Sequence, residues 1–109
     1  MLVVPNTNAH AAIARRIEFR NHGGTLRGEI IADSRSIRIG LLGGEDLDKF
    51  REDAPTYIVF SYKTPVAWHG ENGWTFPRTD YSQTTRQHKT LVRRGIALSE
   101  QRRIAESII

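Results

Sequence analysis

Residues 56–62, Thr56-Tyr57-Ile58-Val59-Phe60-Ser61-Tyr62, constrain the fold more than any other segment. β-Branched and aromatic side chains fill both alternating faces of this run, which suits a strand in the middle of a sheet. Pro65 has no N–H to give a ladder, so Lys63-Thr64 is expected as an edge or a kink. Beyond it, residues 66–68 and 74–76 flank Gly70-Glu71-Asn72-Gly73, a hairpin signal. A two- or four-residue loop would put Trp68 on the opposite face from Trp74 and Phe76. A five-residue loop would gather Val66, Trp68, Trp74 and Phe76 on one face, and this register is preferred because it buries more apolar area.

Two further strands are expected upstream. Residues 25–31 carry Leu26, Ile30 and Ile31, and residues 36–42 alternate Ile37, Ile39 and Leu41 with Arg38 and Gly40. Between them and the central strand, residues 45–51 suit a short helix. Its acids would favour the positive N-terminal end, with Leu47 and Phe50 turned inward.

Helices are expected at both ends of the chain. Asn8 can cap a first one, with Ala9, Ala12, Ile13 and Ile17 along one face and Asn21-His22-Gly23-Gly24 closing it. Thr84-Thr85-Arg86-Gln87 matches a capping box, with Leu91 and Val92 on the inward edge and Gly95 placed to stop that helix. Ser99 can cap a last helix whose Ile104, Ala105, Ile108 and Ile109 form an apolar stripe. The stripe would dock on the sheet or on a second subunit. The expected architecture is α+β: one domain over residues 1–109, with a small antiparallel sheet, a central hairpin, and covering N- and C-terminal helices.

The 109 residues contain no cysteine, which removes disulfides, thiolate nucleophiles and Cys-based zinc sites and fits a reducing, cytoplasmic setting. Met1-Leu2-Val3-Val4-Pro5 lacks the features of a signal peptide, and no apolar run reaches the roughly 18 residues of a membrane span, so no membrane role is expected. The net charge of +4 is uneven: +3 over residues 1–44, −3 over 45–77 and +4 over 78–109. A basic end of this kind points to a phosphate backbone or another polar partner.

Signals for catalysis or a metal are thin. His10, His22, His69 and His88 show no metal-ligand spacing, and the carboxylates of 45–53 are accounted for by helix polarity and solvation. No catalytic residue, metal ligand or cofactor is assigned. Tyr81 to Lys89 is the richest cluster. Ser82, Thr84, Thr85 and His88 sit at an expected helix start, where they form either a cap or an anion site. A hydroxyl–imidazole pair from His88 with Ser82 or Tyr81 lacks a third, orienting group.

The motifs Phe60-Ser61-Tyr62-Lys63-Thr64-Pro65-Val66-Ala67-Trp68, Gly73-Trp74 and Tyr81-Ser82-Gln83-Thr84-Thr85-Arg86-Gln87-His88 resemble a family of small proteins of unknown function from actinobacteria, their bacteriophages and some archaea. Phe19-Arg20-Asn21-His22-Gly23-Gly24-Thr25-Leu26-Arg27-Gly28 resembles an upstream segment of the same family. The resemblance covers residues 19–94 and singles out Tyr62, Thr64, Pro65, Trp68, Trp74, Tyr81, Ser82, Thr84, Thr85 and His88. It implies a phage setting, and it leaves the helix after Gly95 as particular to this chain.

The expected function is a basic, non-enzymatic binding module that contacts nucleic acid through Arg86, Lys89, Arg93, Arg94, Arg102 and Arg103. Arg86, Lys89 and Arg93 would share one helix face opposite Leu91 and Val92. The alternative is a protein–protein module, binding a host protein or a second copy through Trp68, Trp74 and the terminal isoleucines.

Overall fold

The central strand is where the sequence places it, and both of its faces are covered. The structure, a computed structural model, describes residues 2–79 and 83–108, and of residues 83–85 and 102–108 only the backbone. In chain order the elements are β1 (Leu2–Val4), α1 (Ala9–Ala14), β2 (Phe19–Asn21), β3 (Leu26–Ile30), α2 (Gly44–Asp53), β4 (Tyr57–Ser61), β5 (Thr64–Gly70), β6 (Gly73–Thr75) and α3 (Gln83–Ile108). The fold is α+β. The strands form one six-stranded sheet in sequence order, antiparallel except that β1 runs parallel to β2. All five residues of β4 are buried.

Alternation along β4 feeds two separate cores. Tyr57 and Val59 face α1 and α3, where they pack with Phe19, Leu26, Ile13 and Val92. Ile58 and Phe60 face α2, where Phe50 meets the Trp68 ring edge-on at 5.2 Å. This two-sided burial decides the β5–β6 hairpin. Gly70 pairs with Gly73 around the two-residue loop Glu71-Asn72, so Trp68 lies opposite Thr75 and not opposite Trp74. Trp68 fills the α2 side and Trp74 packs on the α1/α3 core, edge-on to Tyr57. The preferred five-residue loop is therefore wrong, because each face of the sheet needs a large ring of its own.

Pro65 does not break the ladder. Lys63 lies in a turn, Thr64 opens β5, and Pro65 pairs with Phe60. The register then shifts between Val59 and Phe60, which leaves Val66 as an extra residue. A bulge beside proline fits the missing N–H.

Residues 36–42 form no strand. Asp33 accepts from the Arg35 backbone N–H to open a 3-10 turn at Ser34–Ser36, and the chain then runs irregularly over the α2-side core. Leu42 is buried there and Ile37 and Ile39 are half-buried. The apolar alternation covers a sheet face instead of pairing, since β3 already has β2 and β4 as neighbours.

The helices differ from expectation at their ends. Asn8 precedes α1 without a side-chain capping bond, and α1 stops at Ala14, which leaves Ile17 outside it and exposed. The Asn21–Gly24 turn closes the β2–β3 hairpin, not a helix. Gln83 is already helical, so Thr84 lies inside the first turn of α3 and not ahead of it. Gly95 and Ser99 are interior to the same helix, which runs unbroken for 26 residues. Gly95 serves close approach. A Cβ there would sit 2.8 Å from the His10 carbonyl oxygen and 2.9 Å from Ile13 Cβ on α1. The Ile104–Ile109 stripe lies outside the residues whose side chains are described. No helix among the described residues is long and apolar enough to cross a membrane.

Candidate nucleic-acid interface

Three connections meet at the Tyr62 end of the sheet and enclose a groove of about 960 Å³. The β2–β3 turn supplies Gly23, Gly24 and Thr25, the β4–β5 turn supplies Tyr62, Lys63 and Thr64, and the loop before α2 supplies Arg38, Gly40 and Leu41. Arg27 of β3 completes the lining, which contains no carboxylate.

Local chemistry fixes each wall. The Asn21 side-chain amide donates to Asn6 Oδ1 and Thr25 Oγ1, both at 2.9 Å, and its oxygen accepts from the Leu26 N–H at 3.2 Å. Thr64 Oγ1, buried, accepts from the Leu41 N–H at 2.9 Å and ties the Arg38–Leu41 wall to β5. Gly40, at φ 56°, makes that contact possible, because a Cβ there would collide with the Lys63 carbonyl and the Thr64 hydroxyl. The Arg27 guanidinium lies 4.4 Å from the centre of the Phe60 ring and bonds Glu29 at 3.2 Å, which holds it in one pose. Arg38, Leu41, Tyr62 and Lys63 are exposed.

Tyr62 is unusual in backbone and side chain. It takes the first position of the turn at φ 57°, where glycine or asparagine is the ordinary choice, and its N–H donates to the Thr25 carbonyl at 2.7 Å. The residue is 53% exposed, and its ring lies 6.4 Å from the His88 ring, tilted by 36°.

His88 itself is buried. Its Nδ1 lies 2.7 Å from Ser61 Oγ, and burial pushes its pKa down, so the neutral imidazole ties α3 to β4. It faces the sheet, which removes it from the expected surface anion site. Tyr81 and Ser82 lie outside the described residues, as do the side chains of Thr84 and Thr85.

Lys89 leaves the expected cationic helix face for a similar reason. It is buried, and its ammonium donates to the Pro77 and Thr79 carbonyls at 3.0 and 3.2 Å. Asp46, likewise buried, accepts from the Arg78 and Thr79 N–H groups at 2.8 and 3.3 Å. The 77–79 segment is thus gripped from both helical layers. Arg86, Arg93 and Arg94 are exposed, with Arg93 placed 4.9 Å over the Phe76 ring. The side chains of Arg102 and Arg103 lie outside the described residues.

The family model of the family of unknown function DUF8033 matches residues 8–106. The chain belongs to this family. No curated protein and no solved structure matches it. The match runs past Gly95 almost to the end of α3, so that helix is a family feature and not an addition particular to this chain.

The residues singled out by resemblance divide in two. Tyr62 and Thr64 line the groove and His88 backs the Tyr62 ring, whereas Trp68 is fully buried and Trp74 half-buried in the two cores. Neither tryptophan stands out as a partner-binding anchor. Among the described residues no cluster of His, Asp and Glu could hold a metal ion. The groove cations Arg27, Arg38 and Lys63 were not singled out from sequence. Their signal was a Gly-Gly turn, a basic residue in an apolar alternation and a lysine two residues ahead of a proline, none of which points to the others.

Proposed function

We propose that the protein is a small basic, non-enzymatic module that contacts nucleic acid, and that the groove at the Tyr62 end of the sheet is the contact. One observation carries this reading: Arg38 and Lys63 converge, beside an Arg27 that is ion-paired to Glu29, on a groove with no carboxylate among its lining residues. Cations brought together from β3, the loop before α2 and the β4–β5 turn create a local positive field that attracts a polyanion. Arg86, two residues before buried His88, extends the cationic surface along α3, with Arg93 and Arg94 beyond it. The resemblance supports a phage or actinobacterial setting, and the cysteine-free chain suits the cytoplasm.

The test is a titration of labelled duplex DNA, single-stranded DNA and RNA at two salt concentrations. Two phosphate contacts, from Arg38 and Lys63, imply a log–log salt slope of roughly −1.4 on a single strand and −1.8 on a duplex. Arg38→Ala and Lys63→Ala should each make the slope shallower by about 0.7 to 0.9. Lys89→Ala, which removes a buried cation, should leave the slope unchanged. No binding to any of the three at low salt would end the nucleic-acid reading.

A further inference from the structure

We propose that the groove takes single-stranded nucleic acid, with Tyr62 as the platform on which one base stacks. The proposal rests on the nucleic-acid reading above and names the class of ligand within it.

The backbone supplies the first argument. A tyrosine at φ 57° is strained in a way that glycine would not be, and the surroundings hold it there. Ser61 pairs with Thr64 on either side of the turn, and the Tyr62 N–H is fixed on the Thr25 carbonyl. The fold therefore accepts local strain at a position where glycine would relieve it.

The side chain gives the second argument. Tyr62 belongs to neither hydrophobic core, and it is an exposed residue in the wall of the groove. The His88 ring, locked on Ser61, backs it from the α3 side. An exposed tyrosine outside both cores, beside Arg38 and Lys63, has the composition of a single-strand site: cations for the phosphates and an aromatic face for a base. Exposed Leu41 adds an apolar contact within the groove.

Chemistry separates the possible polyanions. In a duplex each base face is covered by its neighbours, so a duplex would meet the cations and leave the ring unused. A single strand can offer an open base face. DNA and RNA strands share this chemistry and differ only at the sugar.

The experiment is fluorescence anisotropy with a short oligo-dT, the matching oligo-rU, an abasic strand of equal length and a hairpin duplex. The proteins are wild type, Tyr62→Phe and Tyr62→Gly, the last suited to the positive φ so that the turn survives. Wild type should bind a base-bearing strand about tenfold tighter than the abasic strand, and the tighter of dT and rU identifies the sugar preferred. Tyr62→Phe should keep that preference. Tyr62→Gly should lose about tenfold on the base-bearing strand and come down to the abasic level. Its salt slope should match wild type, because a ring neutralises no phosphate. Equal wild-type affinity for base-bearing and abasic strands, or no loss in Tyr62→Gly, would overturn the stacking role while leaving the nucleic-acid reading intact. Wild-type binding to none of the four at low salt would remove both.

Discussion

Two adjacent hairpins of one sheet, each with a two-residue connection, are built in opposite ways. At the β5–β6 turn the positive φ of 85° falls on Gly73, and the turn is backed by a fully engaged carboxylate. Asp53 accepts from Trp68 Nε1 at 2.8 Å, Thr75 Oγ1 at 2.9 Å, Asn72 Nδ2 at 3.4 Å and Lys49 Nζ at 2.9 Å. At the β4–β5 turn the positive φ of 57° falls on Tyr62, whose ring faces a groove lined by cations. One turn satisfies its polar groups internally, and the other keeps strain and leaves an aromatic ring and cations to solvent. The difference teaches where to look for function: left-handed residues occur also at Arg16 and at Ala54 beside Asp53, but at the Tyr62 turn one coincides with an exposed aromatic ring and a groove lined by cations.

Substitutions can break this comparison, starting with the largest effect. Trp68→Ala should cost about 3–5 kcal/mol, because it empties a fully buried site against Phe50 and strips one donor from Asp53. Trp74→Ala should cost less, since its ring is only half-buried. A thermal melt of Trp68→Ala close to wild type would show that the Asp53 end does not anchor the sheet.

Acid should reveal Asp53 next. Burial would raise its pKa, but the Lys49 ammonium and the Trp68, Thr75 and Asn72 donors outweigh it and hold the group at about 2 against an ordinary 3.8. A pKa lowered by folding means stability that is present above pH 3.8 and is lost as pH falls towards 2. The loss should total about 2 kcal/mol. His88, also lowered, should begin a separate decline as pH falls below 6.5. Urea midpoints measured across pH 2–8 should show both, and Asp53→Asn should flatten the lower step. An unchanged lower step in Asp53→Asn would assign it to other carboxylates.

Gly95→Ala tests a contact outside both turns. The added methyl would press on the His10 carbonyl and Ile13, which should outweigh its gain in helix propensity and leave a net loss of about 1 kcal/mol. A gain in melting temperature would mean that α1 and α3 can separate at no penalty.

The smallest stability effect should have the opposite sign. Tyr62→Gly relieves a left-handed tyrosine, which offsets the extra freedom glycine brings to the unfolded chain, so stability should rise by less than about 1 kcal/mol or stay level. A loss above about 1 kcal/mol would mean that the ring supports the fold and is not held out for a ligand.

Much of the fold was legible from residue patterns, and the site was not. Residues 56–62 announce β4 because both faces carry large apolar side chains, and the acids, Leu47 and Phe50 announce α2. The same two-faced pattern also contained the answer to the hairpin register. A strand buried on both sides implies a sheet covered on both sides, so gathering both tryptophans on one face had no basis in burial. Ile37, Ile39 and Leu41 misled because a segment lying over a sheet can show strand-like alternation without a strand partner. Gly95 misled because glycine at a helix end and glycine at a helix crossing look alike in sequence. The groove was hidden for a different reason. Arg27, Arg38 and Lys63 are far apart in the chain, and only the β3–β4–β5 pairing together with the Leu41–Thr64 hydrogen bond brings them together. Lys89 shows the converse, a cation that sequence places on a phosphate-facing surface and that packing turns inward onto two carbonyls.

Mapping backbone amide shifts during titration with a short oligo-dT tests most directly whether the two hairpin ends are divided between binding and stability. The account predicts that shifts concentrate at Gly24, Thr25, Gly40, Leu41, Tyr62 and Lys63, with little change at Glu71, Asn72 and Gly73. Shifts centred on the Glu71–Gly73 turn, or spread evenly over the basic surface of α3 with the Tyr62 turn unmoved, would contradict it.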